Sequence, residues 1–383
     1  MKKKILYVTR LDPYSLKSWS GVTYYILKYI SKYYEVITVG PLSNRVRIFY
    51  ILKRFVFSLL KIKFDIDRPI SVLKDFAKQI ENKTKSIDYD AILTSEASLM
   101  TFLNTKKPIF IYTDFVFSTY YSHYFSEKII HKETIKDGNF CESTSLKKAK
   151  KIILTSTFAI NDAVKKYRIK KSSFHYLPFG ASIDFIPKQK LLKKIILKKN
   201  RNICKLISIG VHWDRKGMDK AVKLVDYMNN SGQETILYIV GAKPPEDYKI
   251  SSNVKLIDFL DKNNLNDRKI LIKLMYSAHF NLLFSKSEAF GVVNVEASAF
   301  GLYSITNNIG GIGGAVTNDI NGFMFKDNEN ISAISKYIIR IFRNKDLFIK
   351  KSFLSRKQYQ EKLNWRIISK NLSTIINNNL LKN

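Results

Sequence analysis

The chain has only two cysteines, Cys141 and Cys204, and five histidines among 383 residues. Two distant cysteines, outside any metal-type spacing, exclude a disulfide framework and fit a reducing compartment. Long apolar runs are missing too, and none approaches the roughly 20 residues of a membrane-crossing helix. The opening Met1-Lys-Lys-Lys-Ile-Leu-Tyr-Val-Thr-Arg10 is basic, but its apolar stretch is too short for a signal peptide and reads as a buried strand. A cytoplasmic protein is expected, or one peripheral on the inner face of a membrane. Acid is scarce: 32 Asp and Glu stand against 65 Lys and Arg, a net charge of +33. Such an excess suits nucleic acid, an anionic membrane surface or an acidic substrate. Richness in Ile, Asn and Lys makes compositional bias an equal reading of that charge. No nucleic-acid motif accompanies it, so nucleic acid is not expected as a partner.

What is present is a regular alternation of short apolar runs and longer helical ones. Residues 4–9, 35–40, 91–95, 109–114 and 151–156 read as buried parallel strands. Val22, Tyr25, Ile26, Tyr29, Ile30 and Tyr33 share one helical face after the first strand. The series restarts with strands over 205–210, 236–241, 254–259, 280–285 and 303–308. Two βαβ series predict two doubly wound α/β domains. The first is placed at 1–186 and the second at 203–361, with the Lys-rich stretch 187–200 as connector and helices in the tail.

Two strand–loop–helix junctions of the second series carry chemistry. In Glu288-Ala-Phe-Gly-Val-Val-Asn-Val-Glu296, two carboxylates flank a Phe-Gly turn that follows a strand and opens a helix. Backbone N–H groups at Phe290, Gly291 and Val292, with the helix dipole, suit phosphate. Glu288 suits sugar hydroxyls and Glu296 a ribose, so the pattern points to a nucleotide-sugar. In Gly210-Val-His-Trp-Asp-Arg-Lys-Gly217, Arg215 and Lys216 stand where a helix opens. Fixed cations there suit a diphosphate and the negative charge a leaving nucleoside diphosphate develops.

These stretches resemble the E-x7-E and Lys-Gly elements of the retaining glycosyltransferases of the GT-B fold, family four. Gly301 to Gly311 and Asn321-Gly-Phe are similar to that family's following glycine-rich run. Glu142 to Lys150, Tyr176 to Ala181 and Asp184 extend the resemblance to nearly the whole chain, most weakly over 41–88. The resemblance implies two Rossmann-like domains facing a cleft, with a last helix, about 362–383, crossing back to the first, acceptor-binding domain and Trp365 as its anchor. It implies a nucleotide-sugar donor on the second domain, a glycan or lipid-linked acceptor, retention of configuration, and no metal or other cofactor. It also points to synthesis of cell-surface polysaccharide. Lys216 matches the family's phosphate-contacting lysine, whereas Val211 holds the position of its arginine, which Arg215 would replace.

In the first domain, Gly21 opens the first helix and allows close approach of a donor phosphate or acceptor hydroxyl. Asp114 ends a strand, where it could orient an acceptor or stabilise positive charge at the anomeric carbon, or simply cap a helix. His123 lies in Tyr120-Tyr-Ser-His-Tyr124 and reads as part of an aromatic surface. Asp65-Ile-Asp67 and Asp88-Tyr-Asp90 spell a metal–diphosphate signature but precede no nucleotide-binding junction, and no metal is expected at them. Segment 45–64 interleaves cations with aromatics and contains no acid, the composition of a helix lying on an anionic bilayer. Two other readings stand beside the transferase: a non-catalytic partner or glycan-binding subunit of the same fold, and a nucleotide-sugar epimerase.

Overall fold

The computed structural model describes residues 2–45 and 47–380. Val46, within the basic segment 45–64, and the last three residues of the expected terminal helix lie outside them. Twelve strands among the described residues form two parallel sheets of six. In the first sheet they are β1 Lys4–Val8, β2 Glu35–Val39, β3 Ala91–Thr94, β4 Ile109–Thr113, β5 Lys151–Leu154 and β6 Phe174–Tyr176. The second has β7 Cys204–Ile209, β8 Thr235–Val240, β9 Val254–Ile257, β10 Phe280–Leu283, β11 Tyr303–Asn307 and β12 Gly322–Phe325. Helices α1 Val22–Ile30, α2 Arg47–Leu59, α3 Ile70–Thr84, α4 Phe117–Tyr124, α5 Lys132–Lys148 and α6 Thr157–Tyr167 alternate with the first series. Helices α7 Gln189–Leu197, α8 Met218–Asn230, α9 Leu265–Ser277, α10 Val292–Ala299, α11 Ile331–Arg343 and α12 Lys345–Glu361 belong with the second, and α13 Trp365–Leu380 ends the chain.

The strand orders are β2-β1-β3-β4-β5-β6 and β12-β11-β10-β7-β8-β9. Each reverses direction once, between β1 and β3 and between β7 and β10. In an open α/β sheet the crevice at the carboxyl ends beside that reversal is where a ligand sits. The central strands are buried on both faces because helices cover both, which explains their unbroken apolar runs. In the second sheet Leu206, Leu237, Leu282 and Ile305 pack with Val225 of α8 and Ile338 of α11.

One unit takes the chain up to Pro178 and again from Trp365; the other is Phe179–Asn364. In the first, α13 returns onto α1: Trp365 is buried and stacks on Tyr25 at 6.2 Å between ring centroids, and Tyr34 Oη donates to Ser373 O (3.0 Å). The stretch 187–200, expected as a connector, is instead largely helix α7 of the second unit. Its lysines point outward while Leu192 and Ile196 are buried beside Gly301. Arg356 of α12 pins its start through Pro187 O (2.9 Å) and Gln189 Oε1 (3.3 Å). Two short strands, β6 and β12, were not anticipated.

Candidate functional site

In the second unit, β7 and β10 end side by side at the reversal of strand order, and both junctions singled out in the sequence follow them. Gly217, at φ +64°, turns the chain into α8, and a β-carbon there would lie 2.0 Å from Phe284 O. Only glycine lets the two loops approach this closely. Gly210 serves Lys216 in the same way: a β-carbon would meet the lysine stem at 2.9 Å, so the side chain lies across the bare backbone. The Lys216 ammonium thereby reaches Glu288 Oε2 at 2.5 Å, and the Arg215 guanidinium stands 3.8 Å from the same oxygen. Arg215 also donates to Ser287 O (3.2 Å), and Ser285 Oγ donates to Glu288 Oε2 (3.0 Å). Glu288 is buried, and its own carbonyl accepts from Gly311 N (3.0 Å). The Gly-Gly pair downstream thus clamps the carboxylate's backbone.

Gly291, at φ +78°, opens α10 just beyond Glu288. The first N–H groups of a helix have no intrahelical partner and favour an anion. Buried Asn294 holds α10 to the sheet, its Oδ1 accepting from Asn281 Nδ2 (2.9 Å). Phe290 packs its ring edge-on to Phe179 at 5.4 Å and is buried, which leaves its ring engaged in the core. Glu296 faces a partner the sequence did not suggest. Its Oε1 lies 2.5 Å from Lys262 Nζ, from the loop after β9, and that ammonium also reaches Ser182 O at 3.4 Å. Asn321, of the Asn-Gly pair, is a loop pin: it donates to Ala315 O (2.8 Å) and accepts from Thr317 N (2.7 Å). Val211, at the family's arginine position, is 51% exposed.

The first unit brings a different set to its own reversal, between β1 and β3. Gly21, at φ +84°, caps α1 after two further left-handed residues, Trp19 and Ser20. Glu96, at the end of β3, accepts from Arg10 N (2.8 Å) and Thr9 Oγ1 (3.1 Å), and its other oxygen pairs with Arg10 Nε (3.1 Å). Arg10 Nη1 also reaches Asp67 at 2.6 Å. Neighbouring Asp65 accepts from Tyr121 Oη (2.5 Å) and faces Arg68 (3.6 Å). Burial opposes ionisation of Asp65, but Arg68 and the Tyr121 hydroxyl prevail and hold its carboxyl below the usual range. This Asp-x-Asp pair, set aside in the sequence as unrelated to any junction, therefore joins the carboxyl edge of the first sheet through Arg10. Asp90 accepts from Lys4 N (2.7 Å) at the opposite edge. Among the described residues no cluster of three or more His, Cys, Asp or Glu could hold a metal. Asp114 follows β4, one strand from the reversal, and its Oδ1 accepts from Phe115 N (2.7 Å). His123 lies edge-on to Phe115 at 5.3 Å, within an aromatic cluster.

Residues 188–361 match the family model of glycosyl transferases group 1. A stretch of the chain is 26% identical over 160 residues to an uncharacterized glycosyltransferase of Methanocaldococcus jannaschii. It spans 41% of this chain and 43% of that relative, less than half of either. Among solved structures, sucrose-phosphate synthase from Thermosynechococcus elongatus aligns over the whole of both chains, with a TM-score of 0.70 and 16% identity. HepE of Anabaena in complex with UDP-glucose covers 98% of this chain and 100% of its own, with a TM-score of 0.65 and 13% identity. The fold is thus that of the two-domain GT-B glycosyltransferases, and the matched family model lies within the second unit.

Proposed function

We propose, from a second unit that carries the group 1 glycosyl transferase domain, that this protein is a retaining, metal-independent glycosyltransferase. It moves a sugar from a nucleotide-sugar to a glycan or lipid-linked acceptor in cell-surface polysaccharide synthesis. The observation that carries this reading is the meeting of Lys216, Arg215 and Ser285 on one buried carboxylate, Glu288, beside the start of α10. A donor diphosphate laid there would be gripped by both cations and by backbone N–H groups of α10. Glu288 would accept hydrogen bonds from sugar hydroxyls, and Glu296 from the ribose, with Lys262 setting the position of that carboxylate. UDP-sugars are the first donors to try, because the Anabaena neighbour was solved with UDP-glucose.

In the reaction the anomeric carbon–oxygen bond to the diphosphate breaks as the acceptor oxygen bonds to that carbon from the same face. The acceptor proton passes to the leaving phosphate oxygen, so no side-chain base is required. The cations stabilise the charge that develops on the leaving group. Asp114 belongs to this proposal as a catalytic residue with Glu288 and Lys216, and Gly21 as a donor-binding one. Peripheral attachment to a membrane would bring the enzyme to a lipid-linked acceptor.

The test is a thermal-shift and hydrolysis panel of UDP-, GDP-, ADP- and dTDP-sugars, with and without EDTA. A donor that binds raises the unfolding temperature by mass action. Stabilisation by one sugar nucleotide, with slow EDTA-insensitive release of its diphosphate and retained configuration in the product, supports the reading. Interconversion of the sugar nucleotide without acceptor would replace it with an epimerase, and indifference to every donor with a non-catalytic partner.

A further inference from the structure

Helix α2 leaves one whole face bare. Ile48, Phe49, Leu52, Phe55, Val56 and Leu59 are between 54% and 80% exposed. They recur at the spacing of a single helical face. The opposite face is the one the fold uses. Tyr50 stacks on buried Phe64 at 6.0 Å, Phe57 lies 4.1 Å from the His131 ring, and Lys53 pairs with Glu133. The helix is therefore anchored to the first unit by its inner side, with a continuous apolar strip outward. Soluble proteins rarely expose contiguous apolar surface of this kind without a partner.

Charge chooses among partners. The segment 45–64 holds six cations and no acid. Of these, Arg54 and Lys61 are exposed beside the strip. Lys63 hydrogen-bonds through its backbone to Ile129, which is 42% exposed and follows exposed Lys128. Apolar residues facing outward, bordered by cations without acids, complement a bilayer whose apolar interior lies beneath anionic headgroups. With 13 residues, α2 is about 20 Å long, against roughly 30 Å of hydrocarbon. Among the described residues no helix is long and apolar enough to cross a membrane. The helix would lie in the interface and not span it.

We propose that the outer face of α2 docks this protein onto an anionic lipid bilayer, the apolar strip entering the acyl boundary while flanking Arg54 and Lys61 meet the headgroups. The proposal goes beyond the donor site and stands whether or not that reading holds.

The experiment is co-sedimentation of the full chain with vesicles of phosphatidylcholine, with or without about 30 mol% phosphatidylglycerol. The wild-type chain is expected to partition onto the anionic vesicles at moderate salt. A Leu52→Ser, Phe55→Ser, Leu59→Ser variant keeps the same net charge and is expected to lose about tenfold or more of that partitioning. Its far-UV circular dichroism and thermal midpoint should stay close to the wild type, since these side chains are 61–70% exposed. An Arg54→Ser, Lys61→Ser variant should weaken binding to anionic vesicles and leave the residual binding to phosphatidylcholine unchanged. Undiminished binding of the triple-Ser variant would overturn the proposal, because attraction by general charge would then suffice. So would a wild-type dimer that the triple-Ser variant turns into a monomer without any change in vesicle binding, since a second copy would then cover the strip.

Discussion

Gly217 shows how narrowly the loop between β7 and α8 is drawn. Its left-handed φ of +64° and the 2.0 Å approach of a would-be β-carbon to Phe284 O both forbid a side chain. Gly232 shares the left-handed conformation, at φ +78°, but has nothing within 4 Å. Gly217→Ala is expected to cost about 3 kcal/mol or more, and Gly232→Ala only about 1 kcal/mol, since the second meets backbone strain alone. Urea unfolding of the two variants compares them directly, and equal losses would mean the Phe284 contact relaxes freely. Glu288→Gln keeps the shape of the side chain and removes its charge from Lys216 and Arg215. With the fold intact, turnover should fall about 100-fold or more, the scale seen when a preorganised electrostatic group is lost. Single-turnover kinetics at saturating donor would measure it, and near-normal rates would remove Glu288 from the site. Glu288 and Lys216 were legible in the sequence because each lies inside a short junction with its own glycines. Their partners were less so. Lys262 is 34 residues from Glu296, and Arg10 is 86 residues from Glu96. No local pattern announces a contact that only the sheet order creates.

At the scale of elements, β10 is anchored by His279, which is buried just before it. Its Nδ1 accepts from Lys205 N (2.9 Å), and its Nε2 lies 2.8 Å from Asn200 O. These bonds require the neutral ring with its proton on Nε2, because a proton on Nδ1 would face an N–H donor. Burial, reinforced by Lys199, pushes the His279 pKa down to about 3. Burial also pushes the Lys199 ammonium, which donates to Ala278 O (2.5 Å), down to about 7. The unfolded histidine binds a proton near pH 6.5 and the folded one does not. The stability His279 contributes is therefore full above about pH 6.5 and is lost as pH falls towards 3. Between pH 7.5 and 5.0 the loss from this group is about 2 kcal/mol. His279→Gln, whatever its absolute stability, should flatten the pH dependence of unfolding by that amount, as urea titrations at the two pH values would show. An unchanged slope would mean that the folded ring takes up its proton over the same pH range as the unfolded one. The central strands were readable beforehand because burial on both faces leaves them wholly apolar. β6 and β12, of three and four residues at sheet edges, carry too few side chains for a pattern. Helix α7 reads as a linker in the sequence because its lysines outnumber the two buried residues that dock it.

Across the whole molecule, 65 Lys and Arg stand against 32 Asp and Glu, an excess of 33 positive charges. The excess has a physical consequence whatever its origin: like charges repel more strongly in the compact state than in the expanded chain. Salt screens that repulsion, the Debye length falling from about 30 Å at 0.01 M to about 8 Å at 0.15 M. The thermal midpoint should therefore rise as sodium chloride increases over that range. Close pairs such as Lys216–Glu288 and Lys262–Glu296 pull the other way. They sit at 2.5 Å on largely buried carboxylates and are screened little, so the repulsive term is expected to dominate the trend. On the proposed reading, a donor diphosphate would add negative charge where Lys216 and Arg215 converge, and its stabilising effect should be largest at low salt and shrink as salt rises. Differential scanning fluorimetry over a salt series, with and without the bound nucleotide-sugar, measures both slopes at once. A midpoint that falls with salt would mean that paired charges outweigh the excess. A ligand shift insensitive to salt would mean that the diphosphate is held by backbone N–H groups more than by Lys216 and Arg215.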